Sequence, residues 1–228
     1  MSEISSAQNQ GYRLIVVDDH DLFSEGLANL LRTLESVDHV ELANNAQELY
    51  SKLECVSYDV VLLDLIMPVS GGLEILKKLR IHFPNTKVLI VSQHSLSRDI
   101  LDSVRLGALG FIPKTARFTE VKLAVERVAS GNEYFSKDIM RFIGQYNFND
   151  LVELVETTRT VVLNERELAV LIAVCHQFSN EEISQKLGLS VSSIKKYRIS
   201  LMEITQSQNS IGLLAYALKN GLIELKDV

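Results

Sequence analysis

Val60-Val61-Leu62-Leu63-Asp64-Leu65-Ile66-Met67-Pro68 is the stretch on which the reading of this chain turns. Four branched apolar residues stop at one carboxylate, and Pro68 and then Gly71-Gly72 break the run. That is the pattern of a parallel strand buried on both faces, delivering Asp64 to a loop at the sheet's carboxyl edge. Open α/β sheets keep their chemistry at that edge. An Asp after a strand more often merely caps the next helix, so the companions of Asp64 have to decide its role.

Outward from this strand, residues 14–17, 40–43, 88–91 and 110–112 read as further strands. Between them, residues 22–34, 46–53, 73–79, 100–106 and 121–128 carry apolar side chains at helical spacing. The alternation predicts an α/β doubly wound, flavodoxin-like domain over residues 12–131, its parallel sheet covered by helices on both faces. At the carboxyl ends of these strands stand Asp18-Asp19, Asp64 and Ser92, with Lys114 following the last. Three converging carboxylates repel one another unless a cation joins them, and an all-oxygen cluster suits Mg²⁺. Asp19 and Asp64 are the expected metal ligands, with Asp18 acting directly or through water and the main-chain carbonyl of Ile66 adding another oxygen.

Asp18-Asp19-His20, the run from Leu63 to Pro68, Ser92, and Gly107-Ala108-Leu109-Gly110-Phe111-Ile112-Pro113-Lys114 together resemble the receiver domain of two-component response regulators. The resemblance implies phosphoryl transfer to Asp64 from a sensor histidine kinase or a phosphotransfer protein, with Lys114 and the metal neutralising the transferring group. It implies a switch pair, the Ser92 hydroxyl turning to the phosphoryl group and Phe111 turning inward. It implies no enzyme in the ordinary sense, only catalysis of the domain's own phosphorylation and dephosphorylation. The family often shows a cis peptide here, but the sequence leaves the isomer at Pro113 open, as it leaves open whether His94 acts in phosphate loss or is a surface residue. Ile66 departs from the polar residue that many relatives carry there.

Residues 132–160 read as a linker, with one short helical pattern at Leu151, Val152, Leu154 and Val155. Beyond it, Asn164-Glu165-Arg166-Glu167 and Ser179-Asn180-Glu181-Glu182 each set a capping residue three positions before Glu, at the head of an apolar helical pattern. The second helix meets Gly188-Leu189-Ser190 and a third runs from Val191 to about Thr205, so residues 161–228 predict a small all-α helix-turn-helix domain. A last helix, residues 211–219, is expected to be capped by Ser210 and closed by Asn220-Gly221.

In the third helix Ile194, Tyr197 and Leu201 share one face, while Ser192, Lys195, Lys196 and Ile199 point the other way. Lys186, Lys195, Lys196 and Arg198 lie between Glu182 and Glu203 with no acid among them. On the second helix of a helix-turn-helix, such a basic face reads as a DNA interface made of Ser192, Ser193, Lys195, Lys196, Arg198 and Ile199. The segments Leu163 to Glu167, Ser179 to Ile183, Ser193-Ile194-Lys195 and Asn220-Gly221-Leu222-Ile223 are similar to the LuxR-type DNA-binding domain. A receiver followed by that domain is the NarL/FixJ arrangement, which implies a regulator of transcription acting on double-stranded DNA as a homodimer. Gln177 and Phe178 stand where relatives have a Gly-containing turn. Leu213, Leu214 and Tyr216 of the last helix are expected to supply part of the dimer contact, the alternative being that they only fill the small domain's core.

The chain's net charge of −6 is unevenly spread: from Thr158 onward eight basic residues face seven acidic ones, so the acid sits in the front half. That small surplus, with Glu203 on the outward face, keeps open an alternative in which the second domain makes protein contacts instead of binding DNA. The polar opening segment resembles neither a signal peptide nor an anchor, and no apolar run reaches the roughly 20 residues of a membrane span. A cytoplasmic protein with no membrane partner is expected. Cys55 and Cys175 lack metal-site spacing and read as two free, part-buried thiols.

Overall fold

The computed structural model describes residues 11–68, 71–93, 97–135, 161 and 163–223. In chain order the elements are β1 (Tyr12–Val17), α1 (Asp21–Leu31), β2 (Val37–Ala43), α2 (Ala46–Cys55), β3 (Val60–Leu63), α3 (Gly72–His82), β4 (Lys87–Ser92), α4 (Ser97–Arg105), β5 (Gly110–Pro113), α5 (Phe118–Ala129) and β6 (Tyr134–Phe135). Four helices follow: α6 (Glu165–Cys175), α7 (Asn180–Leu187), α8 (Val191–Thr205) and α9 (Ser210–Lys219). Packing divides the described residues into two compact units. Those up to position 93, with 112–134, form the first; positions 97–111, with those from 135 onward, form the second.

The sheet runs β2-β1-β3-β4-β5-β6, and β1 pairs in parallel with both β2 and β3, as β3 does with β4. All four residues of β3 are buried, as a continuous apolar strand in the middle of a covered sheet must be. Register then places the chemistry. Val17 lies opposite Leu63 and Leu63 opposite Ile90, so Asp18 and Asp64 leave their strands side by side. The Asp64 N–H donates to the Val17 carbonyl at 3.0 Å, and the Lys114 N–H donates to the Ser92 carbonyl at 2.9 Å, which ties the loop after β5 to the end of β4.

β6 is a strand that the sequence does not announce, because two residues are too few for a period to show. Pro113 is preceded by a trans peptide, there being no cis bond among the described residues, which answers what the sequence leaves open at that position. The thiols differ from expectation too: Cys55, at the exposed end of α2, is open to solvent and Cys175 is buried.

In the second unit both capping boxes form as their spacing predicts, Asn164 with Glu167 and Ser179 with Glu182. Gly188 ends α7 at φ +64, a left-handed turn suited to glycine, and Ser190 caps α8, completing the helix-turn-helix. The last helix is capped differently from expectation. Asn209 accepts from the Gly212 N–H, and Ser210 is the first helical residue. The Asn209 side chain also donates to the carbonyls of Val104 and Ala108, at 2.6 and 3.4 Å, binding α9 to the end of α4. Every residue from Ile211 to Leu218 is buried, as befits a helix apolar all round. Leu213, Leu214 and Tyr216 therefore fill the core of this unit instead of standing free for a partner, and the Tyr216 hydroxyl accepts from the Val161 N–H at 3.0 Å. The helical pattern near Leu151 and the residue His94 lie outside the described residues. Among those described, no helix is long and apolar enough to cross a membrane.

Candidate functional site

β3 ends at Asp64 because the run of branched residues stops there, and Gly72 allows the next helix to start against it. A Cβ at Gly72 would run into the Asp64 carbonyl and the Leu65 backbone, whereas Gly71 faces open space. The Gly72 N–H donates to the Leu65 carbonyl at 2.9 Å, closing the loop beneath the carboxylate.

Asp18 and Asp64 are almost fully buried, at 2 % and 3 % exposure. Lys114 spans them, its Nζ 2.6 Å from Asp18 Oδ2 and 2.8 Å from Asp64 Oδ2, with its side chain 9 % exposed. Burial by itself would depress the ammonium's pKa, but hydrogen bonds and charge from Asp18 and Asp64 outweigh it and hold the group above its ordinary value. The other oxygen of Asp18 accepts from the His20 N–H at 2.9 Å and has the His20 ring at 3.1 Å. Asp64 Oδ1 accepts from the Ile66 N–H at 3.3 Å. Ile66 therefore reaches the pocket through its backbone, its side chain being 45 % exposed.

Asp18 is thus engaged on both oxygens, and Asp19 is not. Asp19 Oδ1 is buried without a hydrogen bond, although His20 Nδ1 comes within 3.2 Å of it. Ligand atoms of Asp18, Asp19, His20 and Asp64 lie within 4.8 Å of one another. An orphaned buried carboxylate oxygen, in a cluster of three carboxylates of which Lys114 meets only Asp18 and Asp64, fits a site that takes a hard cation. Ser92, at the end of β4, is fully buried with its Oγ unpartnered, and Phe111 on β5 is fully buried.

One residue of the pocket goes unmarked by the sequence pattern. Phe23, on the first turn of α1, presents its ring to the Lys114 ammonium, 4.7 Å from centroid to Nζ. As one apolar residue in a helical period it carries no sign of this contact, which exists only because the fold brings Lys114, after β5, to the first turn of α1.

On α8, Ile194 and Leu201 are fully buried while Ser192, Lys195, Lys196 and Ile199 are exposed, so the two faces separate as the helical angles predict. The Ser190 hydroxyl lies 2.9 and 2.8 Å from those of Ser192 and Ser193, so both serines join the helix cap. Arg198 is half-buried and donates to the Ser210 hydroxyl at 2.5 Å, leaning on α9. Lys186 covers the Phe178 ring at 4.3 Å.

Residues 14–126 match the response regulator receiver domain family. Over 92 % of its length the chain is 30 % identical to the transcriptional regulatory protein MctR of Rhizobium johnstonii, covering 95 % of that protein. It is 29 % identical to the response regulator GacA of Pseudomonas viridiflava, over 93 % of this chain and 98 % of that one. A two-component response regulator of the LuxR family from Aurantimonas, known as a crystal structure, superposes with a TM-score of 0.57 at 29 % identity, over 59 % of this chain and 96 % of the other.

Proposed function

This chain belongs to the response regulators, of the type that joins a receiver to a LuxR-type helix-turn-helix domain, and we propose that it receives a phosphoryl group on Asp64 and thereby controls DNA binding by its C-terminal helices. The observation that carries this reading is the buried Asp64 carboxylate, held by Lys114 beside the orphaned oxygen of Asp19.

The donor is a phosphohistidine of a sensor kinase or phosphotransfer protein. One Asp64 oxygen attacks phosphorus, a P–O bond forms as the P–N bond breaks, and the departing imidazole takes the electron pair and later a proton from solvent. No general base is needed, since a carboxylate is already ionised. Lys114 then turns part of its charge from Asp64 to a phosphoryl oxygen. Asp19 and Asp64, with Asp18 and the Ile66 carbonyl, would hold Mg²⁺, which when bound supplies the positive charge that lets a phosphoryl group approach three carboxylates. Ser92 would bond the new phosphoryl group, with Phe111 as its partner in the switch, a reading supported by the buried, unpartnered Ser92 hydroxyl and the burial of Phe111.

On the output side, Lys195 and Lys196 stand on the exposed face of α8 with Ser192 and Ile199, and the half-buried Ser193 and Arg198 flank them. These residues are the proposed contacts to double-stranded DNA, bound as a homodimer in the cytoplasm.

Incubation with acetyl phosphate and Mg²⁺ tests the first half. The wild-type protein should acquire one labile phosphoryl group, and Asp64→Asn should acquire none. Equal labelling of the two would remove Asp64 from the role.

A further inference from the structure

Lys114 is gripped on several sides. Two of its three N–H donors meet Asp18 and Asp64, and the Phe23 ring covers a further side at 4.7 Å, inside the roughly 6 Å reach of a cation–π contact. With its side chain only 9 % exposed, the ammonium has little water to compete with the ring, and such contacts strengthen on desolvation. Phe23 is itself fixed. Its N–H and that of Ser24 both donate to the His20 carbonyl at 3.0 Å, so the backbone that carries the ring is tied to the segment of Asp18 and Asp19.

We propose that Phe23 is a positioning residue for Lys114, holding the ammonium in the pocket by its π face while leaving the N–H groups able to turn from Asp64 to a phosphoryl oxygen. This rests on the reading of Asp64 as phosphoryl acceptor. A third carboxylate in this place would add negative charge to a pocket that must admit an anion. A carbonyl or hydroxyl would fix one donor direction. An aromatic face attracts the charge without adding charge and without a fixed hydrogen-bond vector. A leucine would fill similar space but lacks the quadrupole. Phe23 and Lys114 also border an open cavity of about 250 Å³, lined on its other sides by Leu22, Val91, Pro113 and Phe118. Loss of the ring would enlarge that space against the ammonium and admit water to it.

The test replaces Phe23 with phenylalanines carrying one, two and three ring fluorines, which keep nearly the same shape while progressively cancelling the quadrupole, and adds Phe23→Leu and Phe23→Tyr. The measurements are the rate of phosphorylation by acetyl phosphate, Mg²⁺ affinity, the melting temperature, and the NMR shift of the Lys114 side chain. The rate should fall stepwise with fluorination, by roughly 2- to 30-fold in all. Phe23→Leu should match the trifluoro ring and Phe23→Tyr should restore the wild-type rate. Mg²⁺ affinity and melting temperature should hold steady across the fluorinated series, and the Lys114 methylenes should lose their ring-current shift in Phe23→Leu. Rates that stay level along the series, or that follow melting temperature or Mg²⁺ affinity instead of fluorine count, would overturn the proposal and leave the acceptor role of Asp64 intact. Absence of phosphorylation in the wild type would overturn both.

Discussion

At the scale of single residues, two adjacent glycines separate packing from chain flexibility. Gly72→Ala forces a methyl group into the Asp64 carbonyl and should cost about 1–3 kcal/mol while displacing the acceptor. Gly71→Ala meets open space and should leave melting temperature and phosphorylation rate nearly unchanged. Thermal melts with acetyl phosphate labelling check both, and equal behaviour of the two variants would contradict the account. The cysteines give a second check. Cys55 should react with a thiol reagent in the native protein and Cys175 only after unfolding. Burial pushes the Cys175 thiol up to about 12, whereas an unfolded thiol ionises near 8.5. The unfolded state therefore gives up its proton first, and stability should decline from about pH 9 toward 12, by at most about 1.4 kcal/mol per pH unit. Denaturant titrations in which Cys175→Ala shows the same decline would refute that source. Asp64 is legible from sequence because a buried strand must end somewhere and its end is chemically marked. Phe23 is not, because its partner arrives from a distant strand.

At the scale of elements, the legible features are those set by neighbours in the chain. Both capping boxes, the Gly188 turn and the two faces of α8 depend on spacings of a few residues, and each forms as those spacings predict. Asn209 and Ser210 are both good capping residues in succession, and local chemistry cannot choose between them. The choice falls to Asn209, whose amide also reaches Val104 and Ala108, a tertiary contact. Gln177 makes the opposite point. It turns the chain between α6 and α7 at φ +62, in the region that favours glycine, at the pair Gln177-Phe178 where the LuxR-type pattern has a Gly-containing turn. Gln177→Gly should relieve that strain and stabilise the second unit by roughly 0.5–1 kcal/mol, measured as a shift in the denaturant midpoint. A lower midpoint would show that the Gln177 side chain contributes more than its backbone costs.

At the scale of the whole molecule, the order of domains is readable because each half carries its own periodicity, strands alternating with helices and then helices alone. The membership of α4 is not readable in that way. Its sequence belongs to the βα alternation, yet it packs in the same compact unit as the C-terminal helices, with Asn209 bridging to it. The dimer contact expected of Leu213, Leu214 and Tyr216 fails for a related reason, since apolar residues at helical spacing look alike whether a core or a partner covers them. Chemistry at Asp64 is proposed to govern DNA binding by α8. That control is tested most directly by measuring DNA affinity across a salt series, with and without the phosphoryl analogue beryllofluoride and Mg²⁺, for the wild type, Asp64→Asn and Lys196→Ala. Binding should depend on salt, beryllofluoride should change it in the wild type but not in Asp64→Asn, and Lys196→Ala should weaken it by roughly 1–3 kcal/mol where the contact is to a base edge. Binding that ignores beryllofluoride in the wild type, or that Lys196→Ala leaves untouched along with the salt slope, would contradict that control.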